Sequence, residues 1–506
     1  MEAQQPSARE AGLPVDPQQG DAVRGREIAV NGVAFDGAAG PGDPGPHAFG
    51  WLRDLRSART SESQEAARRL VGDWIERYEK SRDRPWWPVI AAERLVNWIY
   101  CHRLLTSGAD ANFLKKYEAS IVRHAKRLRK LLRQLPRGAE RFAILKALVY
   151  VGVCLPRHEK GLSRVLTALQ SEIDVQILPD GGHHQRNPSI HAAVLSELVQ
   201  LSSALELRQD SMPGWLQEAI SRMAPVLKFY RHNDGGLALF HGSAEEDTET
   251  VDRLLIACLT EARMPSNLPD TGYQRMARER AVVLMDTGAP PPRNLDQGAH
   301  AGTLAFEMSA GPHRLIVNCG AYHGDDKAWS RALRSTAAHS TLVVADTNSS
   351  EVFELGGLGR RVGLVTVERD DVTRAHRIEA SHDGYVARYG MVHRRRLELS
   401  SDGRTLRGED RLERKVGTME FAIRFHLHPD VEATVERDSS LDNPAVTLRL
   451  PDGDIWRFRA NSGAVALDES VYLGWPGSAL RTQQVVVTSA GAGTAPVAVS
   501  WSISQI

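Results

Sequence analysis

The chain changes its hydrophobic period once, near the midpoint, and this change constrains the fold more than any other feature. Apolar side chains recur at i, i+3, i+4 and i+7 in 66–78 (AARRLVGDWIERY), 89–105, 113–135, 141–153, 191–207, 212–230 and 250–259. Residues at that spacing share one face of an α-helix, so each segment has a stripe to bury against a neighbour. Strand-like alternation is almost absent there, which points to an all-α domain of helical hairpins. Beyond a Pro- and Gly-rich stretch at 286–298 the period falls to two, in 303–308, 314–319, 340–345, 361–368, 394–399, 405–412, 419–428, 445–450 and 483–488. Turn signals such as Ser401-Asp402-Gly403 and Pro451-Asp452-Gly453 separate these segments. Short alternating strands punctuated this way predict an antiparallel β-sandwich.

The expected class is therefore α+β and multidomain. A disordered segment is expected at 1–48, a helical domain at 49–285, a linker at 286–300 and a sandwich at 301–506. The first residues are rich in Ala, Gln, Pro and Gly, and 37–46 (GAAGPGDPGP) reads as a second flexible link.

With 506 residues the chain should hold more than one core. Its 63 basic and 63 acidic residues cancel, which argues against a general binder of nucleic acid or anionic membrane. A polyanionic ligand would need a local basic cleft. Cys101, Cys154, Cys258 and Cys319 are widely spaced without a C-x-x-C pair, and read as core thiols. No apolar run is long enough for a membrane span and no secretory h-region is visible, so the cytoplasm is expected, with the periplasm as the alternative.

Chemistry concentrates in Asp180-Gly181-Gly182-His183-His184-Gln185-Arg186-Asn187-Pro188, just before a long apolar helix. A plain αα turn explains the glycines, Asn187 as a helix cap and Pro188 at the first helical position. It does not explain two histidines, a glutamine and an arginine in one turn, which together suggest a site. A second glycine-rich turn, Asp234 to Gly242, is flanked by His232 and contains His241; both are candidates for ligand contact, although loop chemistry alone accounts for the segment. Among Trp51, Trp74, Trp86, Trp87 and Trp98, those at helical spacing read as core, leaving Trp86-Trp87-Pro88 as a candidate for stacking on a ligand. The cationic helix 124–137 reads as a solvated face, with Arg127, Lys130 and Arg133 on one side.

Phe49-Gly50-Trp51-Leu52-Arg53-Asp54-Leu55, the Trp98 helix, Leu178 to His183 and Asn187-Pro188 in the helical half are followed by Arg334 to Leu342 (RSTAAHSTL) and Phe425-His426-Leu427-His428-Pro429. In this order the motifs resemble the bacterial heparinase II/III-like polysaccharide lyases over roughly residues 49 to 500. The resemblance implies an N-terminal (α/α) toroid and a C-terminal two-layer β-sandwich. It also implies a carbon–oxygen lyase that breaks an acidic, uronate-containing glycan by β-elimination. That reaction needs the uronate carboxylate neutralised, a base for the α-proton and an acid for the leaving oxygen.

The resemblance places the neutraliser at His183, the acid, or both acid and base, at Tyr230, and the partner base at His339. His184, Gln185, Arg186, Asn187, His241 and Trp87 become the expected substrate contacts. The residues alone leave other readings open: Tyr230 can simply end its helix, and His339 can be a core histidine. The chain also departs from many relatives, with Gln185 where they carry Glu and Ile190-His191 where they carry Tyr-His. No cofactor is expected. Some relatives bind zinc through the position of Thr341, which is not a ligand type, although Asp346, His382, His393, His426 and His428 could gather around a metal. The alternative function is a non-catalytic glycan-binding or envelope-polysaccharide assembly protein on the same fold.

Overall fold

The computed structural model describes residues 16–36, 45–155, 161–206, 212–324, 326–372, 375–413, 419–436, 443–491 and 496–506. It divides into two compact units, one of residues 1–175 and 194–220, the other of 176–193 and 221–506.

The first unit is helical: Ala22–Asn31, Leu52–Ala58, Ser61–Tyr78, Pro88–Tyr100, His102–Thr106, Ala111–Gln134, Glu140–Cys154 and most of Leu162–Gln176. Starts follow side-chain caps. Thr60 Oγ1 accepts from the Ser63 amide and Ser63 Oγ from the Thr60 amide, both at 3.1 Å, and Asp110 caps the longest helix of the unit. The segment 1–48 was expected to be disordered, yet 22–31 is a helix capped by Asp21. It packs so closely on Leu52–Ala58 that a Cβ on Gly25 would lie 2.0 Å from the Asp54 carbonyl oxygen. Only Ile28 and the glycine face inward, so no apolar period advertised the helix. Leu162–Gln176 was also absent from the expected set.

Aromatic rings fill this unit. Trp51, Trp74, Trp86 and Trp98 are buried, and Arg94 lies 4.0 Å from the Trp74 ring centre and 4.9 Å from that of Trp86. Trp86 is therefore core, contrary to its reading as a ligand-stacking candidate, and only Trp87 is exposed. Most of the basic helix faces solvent, but Arg127 covers the outer face of Trp86 at 4.0 Å.

The second unit holds two antiparallel sheets. One runs, in spatial order, Asn267–Leu268, Tyr273–Arg278, Ala281–Asp286, Phe306–Ala310, His313–Val317, Met419–Leu427, Leu480–Gly491 and Ala464–Tyr472, with Leu342–Val344 also paired to Met419–Leu427. The other runs Glu432–Glu436, Ala445–Arg449, Ile455–Ala460, Val497–Gln505, Thr405–Glu413, Met391–Ser400, Ala375–Tyr385 and Val365–Val372. One apolar core draws on both, including Phe306, Phe425, Phe458 and Trp501.

The sheet thus begins inside the span expected to be helical, and Asp286 ends a strand rather than opening a linker. Ala281–Asp286 is buried along its whole length, and a strand covered on both faces shows no alternation to read. Within the sandwich Asp410 is fully buried and accepts from Arg395 Nε (2.8 Å), His393 Nε2 (2.7 Å) and Trp501 Nε1 (2.9 Å). Arg395 Nη1 also donates to the carbonyls of Leu304 (2.8 Å) and Ser340 (2.7 Å). This single side chain fixes together the two segments that carry His300 and His339.

Candidate functional site

The turn before the helix Pro188–Glu206 is built on close approach. Gly181 adopts φ 87°, and a Cβ on Gly182 would fall 1.8 Å from Thr271 Oγ1. Asp180 secures the same contact, accepting from the amides of Asp270 (2.9 Å) and Thr271 (2.7 Å) and from Thr271 Oγ1 (2.7 Å). Replacing Gly182 with alanine is expected to lower the thermal midpoint by several degrees, since Thr271 has no free direction to yield; an unchanged melt would refute that packing argument. Asn187 Oδ1 accepts from the Ile190 amide at 2.9 Å, capping the helix, while its Nδ2 donates to the His241 carbonyl at 2.8 Å.

His183 is fully buried with both ring nitrogens engaged. Nδ1 accepts from the Gln185 amide at 3.2 Å, so Nε2–H donates to Gln176 Oε1 at 3.2 Å. Burial, then the neighbouring His191 and His184, lowers its pKa to about 3. His184 and Gln185 are half-buried.

Arg186 adopts φ 58° and turns inward. Its Nε donates to the Thr271 carbonyl (2.6 Å), Nη1 to that of Ala289 (2.9 Å), and Nη2 to that of Gly272 (3.0 Å) and to Asp286. Expected as a substrate contact, it has instead become the anchor of a buried network. Burial opposes ionisation of Asp286, but Arg186 and His241 outweigh it and hold the carboxyl below its usual range.

From Asp286 the network continues through three histidines. His241 Nδ1 accepts from the His300 amide at 3.2 Å, so its Nε2–H donates to Asp286 Oδ2 at 3.1 Å. His339 Nδ1–H donates to the Ser335 carbonyl at 2.7 Å, which leaves its Nε2 to accept from His300 Nδ1–H at 3.0 Å. The lone pair of His300 Nε2 then points away from His339 and has no partner among the described residues. Burial, followed by the charges of His339 and His241, pushes the His300 pKa well down. His339 falls to about 4, chiefly by burial. Neither His241, read as a substrate contact, nor His339, read as a base, keeps a free nitrogen. His232 is also buried, between Glu307 at 3.0 Å and Ser309 at 3.1 Å.

Tyr230 sits where the first strand hairpin meets the turn. Its ring stands edge-on to His191 (5.6 Å) and Tyr273 (5.4 Å), and Tyr273 lies under the Arg186 guanidinium at 4.8 Å. Its hydroxyl has no hydrogen-bond partner among the described residues, and burial raises its pKa. Tyr230 and His300 are 1% and 3% exposed, and unlike the other histidine nitrogens of the network, which are engaged or, like His191 Nδ1, sealed, the Tyr230 hydroxyl and His300 Nε2 have no hydrogen-bond partner among the described residues.

Contacts thus run without a break from Tyr230 through Tyr273, Arg186 and His241 to His300 and His339. His300 and Asp286 escaped the sequence reading because both fell in the presumed linker. The available signal was the setting Gly298-Ala299-His300-Ala301-Gly302: a Cβ on Gly302 would come within 2.7 Å of the His339 ring. Trp87 belongs to the first unit. The five residues considered for a metal do not gather into one site: His382 meets His393 at 3.2 Å, while His426 donates to the Ala337 carbonyl and His428 lies by Asp430. Among the described residues no cluster of three or more His, Cys, Asp or Glu is arranged for a metal ion.

Comparison with known proteins agrees with this architecture. The crystal structure of heparinase III superposes with a TM-score of 0.75 at 14% identity, covering 99% of this chain and 85% of that one. Heparan sulfate lyase HepC from Pedobacter heparinus gives 0.66 at 14% identity, over 99% and 86%. Chondroitin AC lyase of Streptomyces coelicolor gives 0.55 at 12% identity, over 99% and 80%. At these identities the likeness is one of fold, a helical toroid followed by a β-sandwich. FtsZ-localized protein C of Caulobacter vibrioides is 29% identical, over 97% of this chain and 89% of that protein. The model of the heparinase II/III N-terminus matches residues 56–256 and that of the heparinase II/III-like C-terminal domain residues 260–502, so the chain belongs to the heparinase II/III-like family.

Proposed function

We propose that the protein is a polysaccharide lyase that cleaves a uronate-containing glycan by β-elimination, with His300 Nε2 as base and the Tyr230 hydroxyl as acid. The observation that carries this reading is that these two titratable atoms, joined by one run of contacts, have no hydrogen-bond partner among the described residues, where every other histidine nitrogen of the network is engaged or sealed. A neutral imidazole with a bare Nε2 takes the proton α to the uronate carboxylate. The positive charge then forming on His300 is supported by the Nδ1–H bond to His339. A phenol kept protonated by burial gives its proton to the departing glycosidic oxygen. Carboxylate neutralisation falls to the half-buried His184 and Gln185, since His183 and Arg186 are committed inside the fold.

The test follows the ultraviolet absorbance of the unsaturated uronate during incubation with a panel of acidic polysaccharides. Tyr230→Phe and His300→Ala are each expected to lower kcat by at least about 10²-fold, the usual worth of a positioned acid or base. Full activity in either variant would remove that residue from the mechanism. A second reading rests on one observation, the relative whose name places it with FtsZ and which matches nearly the whole chain. On that reading the fold serves as a non-catalytic glycan-binding or envelope-assembly module. Tight binding to one glycan with no absorbance change from any would favour it.

A further inference from the structure

Asp286 and His241 do not touch His300 Nε2 or the Tyr230 hydroxyl, yet the placement of His300 depends on them. His241 Nδ1 is the acceptor for the His300 backbone amide. That bond exists only if His241 carries its proton on Nε2, which faces Asp286 Oδ2 and also Arg186 Nη1, each at 3.1 Å; Arg186 can only donate, so it is the carboxylate that holds the proton on Nε2. The second oxygen of Asp286 is held by Arg186, so the carboxylate cannot turn away. Two non-glycine residues of this same cluster, Arg186 at φ 58° and His241 at φ 50°, lie in the left-handed region. Each such conformation costs on the order of 1–3 kcal/mol and persists only where the surroundings impose it. Strain at two residues that share one carboxylate marks a geometry that is imposed.

We propose that the Asp286–His241 pair is a positioning device that sets the tautomer of His241 and thereby holds His300 with Nδ1–H toward His339 and Nε2 unpartnered. The inference rests on His300 as the base of the lyase reading, but its geometry can be tested without activity. In Asp286→Asn the amide oxygen must face Arg186, so the amide –NH2 faces His241 Nε2. His241 is then driven to carry its proton on Nδ1, and two donors, Nδ1–H and the His300 amide, confront each other.

The full-length protein is used throughout. In the wild type, nitrogen-15 spectra of labelled histidine should report an Nε2–H tautomer for His241, and hydrogen exchange should show a protected His300 amide. In Asp286→Asn the tautomer should reverse, the His300 amide should lose protection, and kcat should fall by about 10²–10³-fold with KM nearly unchanged, somewhat less than the effect of the same substitution in a triad that touches the nucleophile directly. Because that variant also alters a buried ion pair, His241 is varied separately. Asn places an acceptor where Nδ1 stood and tolerates the left-handed backbone, whereas Gln reaches only the Nε2 position. His241→Asn should keep the His300 amide protected and retain more activity than His241→Gln. An Nδ1–H tautomer in the wild type, or equal His300 exchange in the Asn and Gln variants, would overturn the proposal. Absence of lyase activity in the wild type would strike the catalytic reading alone, with tautomer and exchange still deciding this one.

Discussion

Between about pH 7.5 and about pH 5.5 the second unit is expected to lose up to about 5 kcal/mol of folding stability. Four fully buried histidines set this figure: burial lowers His183 and His426 to about 3, and His191 and His339 to about 4, from 6.5. Each is neutral in the fold at every pH in that range, whereas the unfolded chain takes up a proton below 6.5. A folded pKa below the unfolded one gives stability that is complete above the unfolded value and declines as pH falls toward the folded value. The slope is about 1.4 kcal/mol per pH unit for each histidine once the unfolded form is protonated. His191 shows why the fold resists: its Nε2–H donates to the Met223 carbonyl at 2.9 Å, and Nδ1 is sealed without any partner, so a second proton would have no acceptor. Since domains are stable by only about 5–15 kcal/mol in all, urea midpoints measured across this range should fall steeply. A flat profile would show that these histidines open to water and that the closed network described here does not persist in solution.

Replacement of Arg186 by methionine should cost about 3–5 kcal/mol, the loss typical when one member of a buried ion pair is removed. Met fills much of the same volume, so the effect isolates the charge. It leaves Asp286, 1% exposed, without its guanidinium, and it frees the carbonyls of Thr271, Gly272 and Ala289. The double variant Arg186→Met with Asp286→Leu should recover a large part of the loss, because the orphaned charge is gone. Calorimetry of the two proteins measures the difference; a double variant no more stable than the single one would locate the cost in packing or in the carbonyls rather than in the charge.

The division of the chain into helices and antiparallel strands was legible because it is written in the spacing of apolar residues, which each element needs locally. The helix 111–134 and the strand 405–413 fall within two residues of their expected ends for that reason. Two of the elements that escaped had no pattern to read: Ala281–Asp286, covered on both faces, and the short helix 22–31, held by a glycine contact rather than an apolar stripe; Leu162–Gln176 and the strands Ile455–Ala460 and Val497–Gln505 escaped although periodic. The same distinction separates the site residues. The turn 180–188 declared itself by composition, and Tyr230 lies in the run of contacts beside it. What composition does not encode is which nitrogen faces which partner. His183 and His339 carry the motifs, yet their rings donate and accept within the fold.

The sequence by itself determined that helices precede a β-sandwich and that the turn at 180–188 is chemically rich. Only the tertiary structure decided that Arg186 points inward to Asp286 and that His300, in a segment read as a linker, has an Nε2 without a partner among the described residues. The physical reason is that periodicity and turn chemistry are set by neighbours a few residues away. Hydrogen-bond partners, tautomers and buried charge are instead set by groups about a hundred residues distant, such as Arg186 and Asp286, which meet only when the chain has folded.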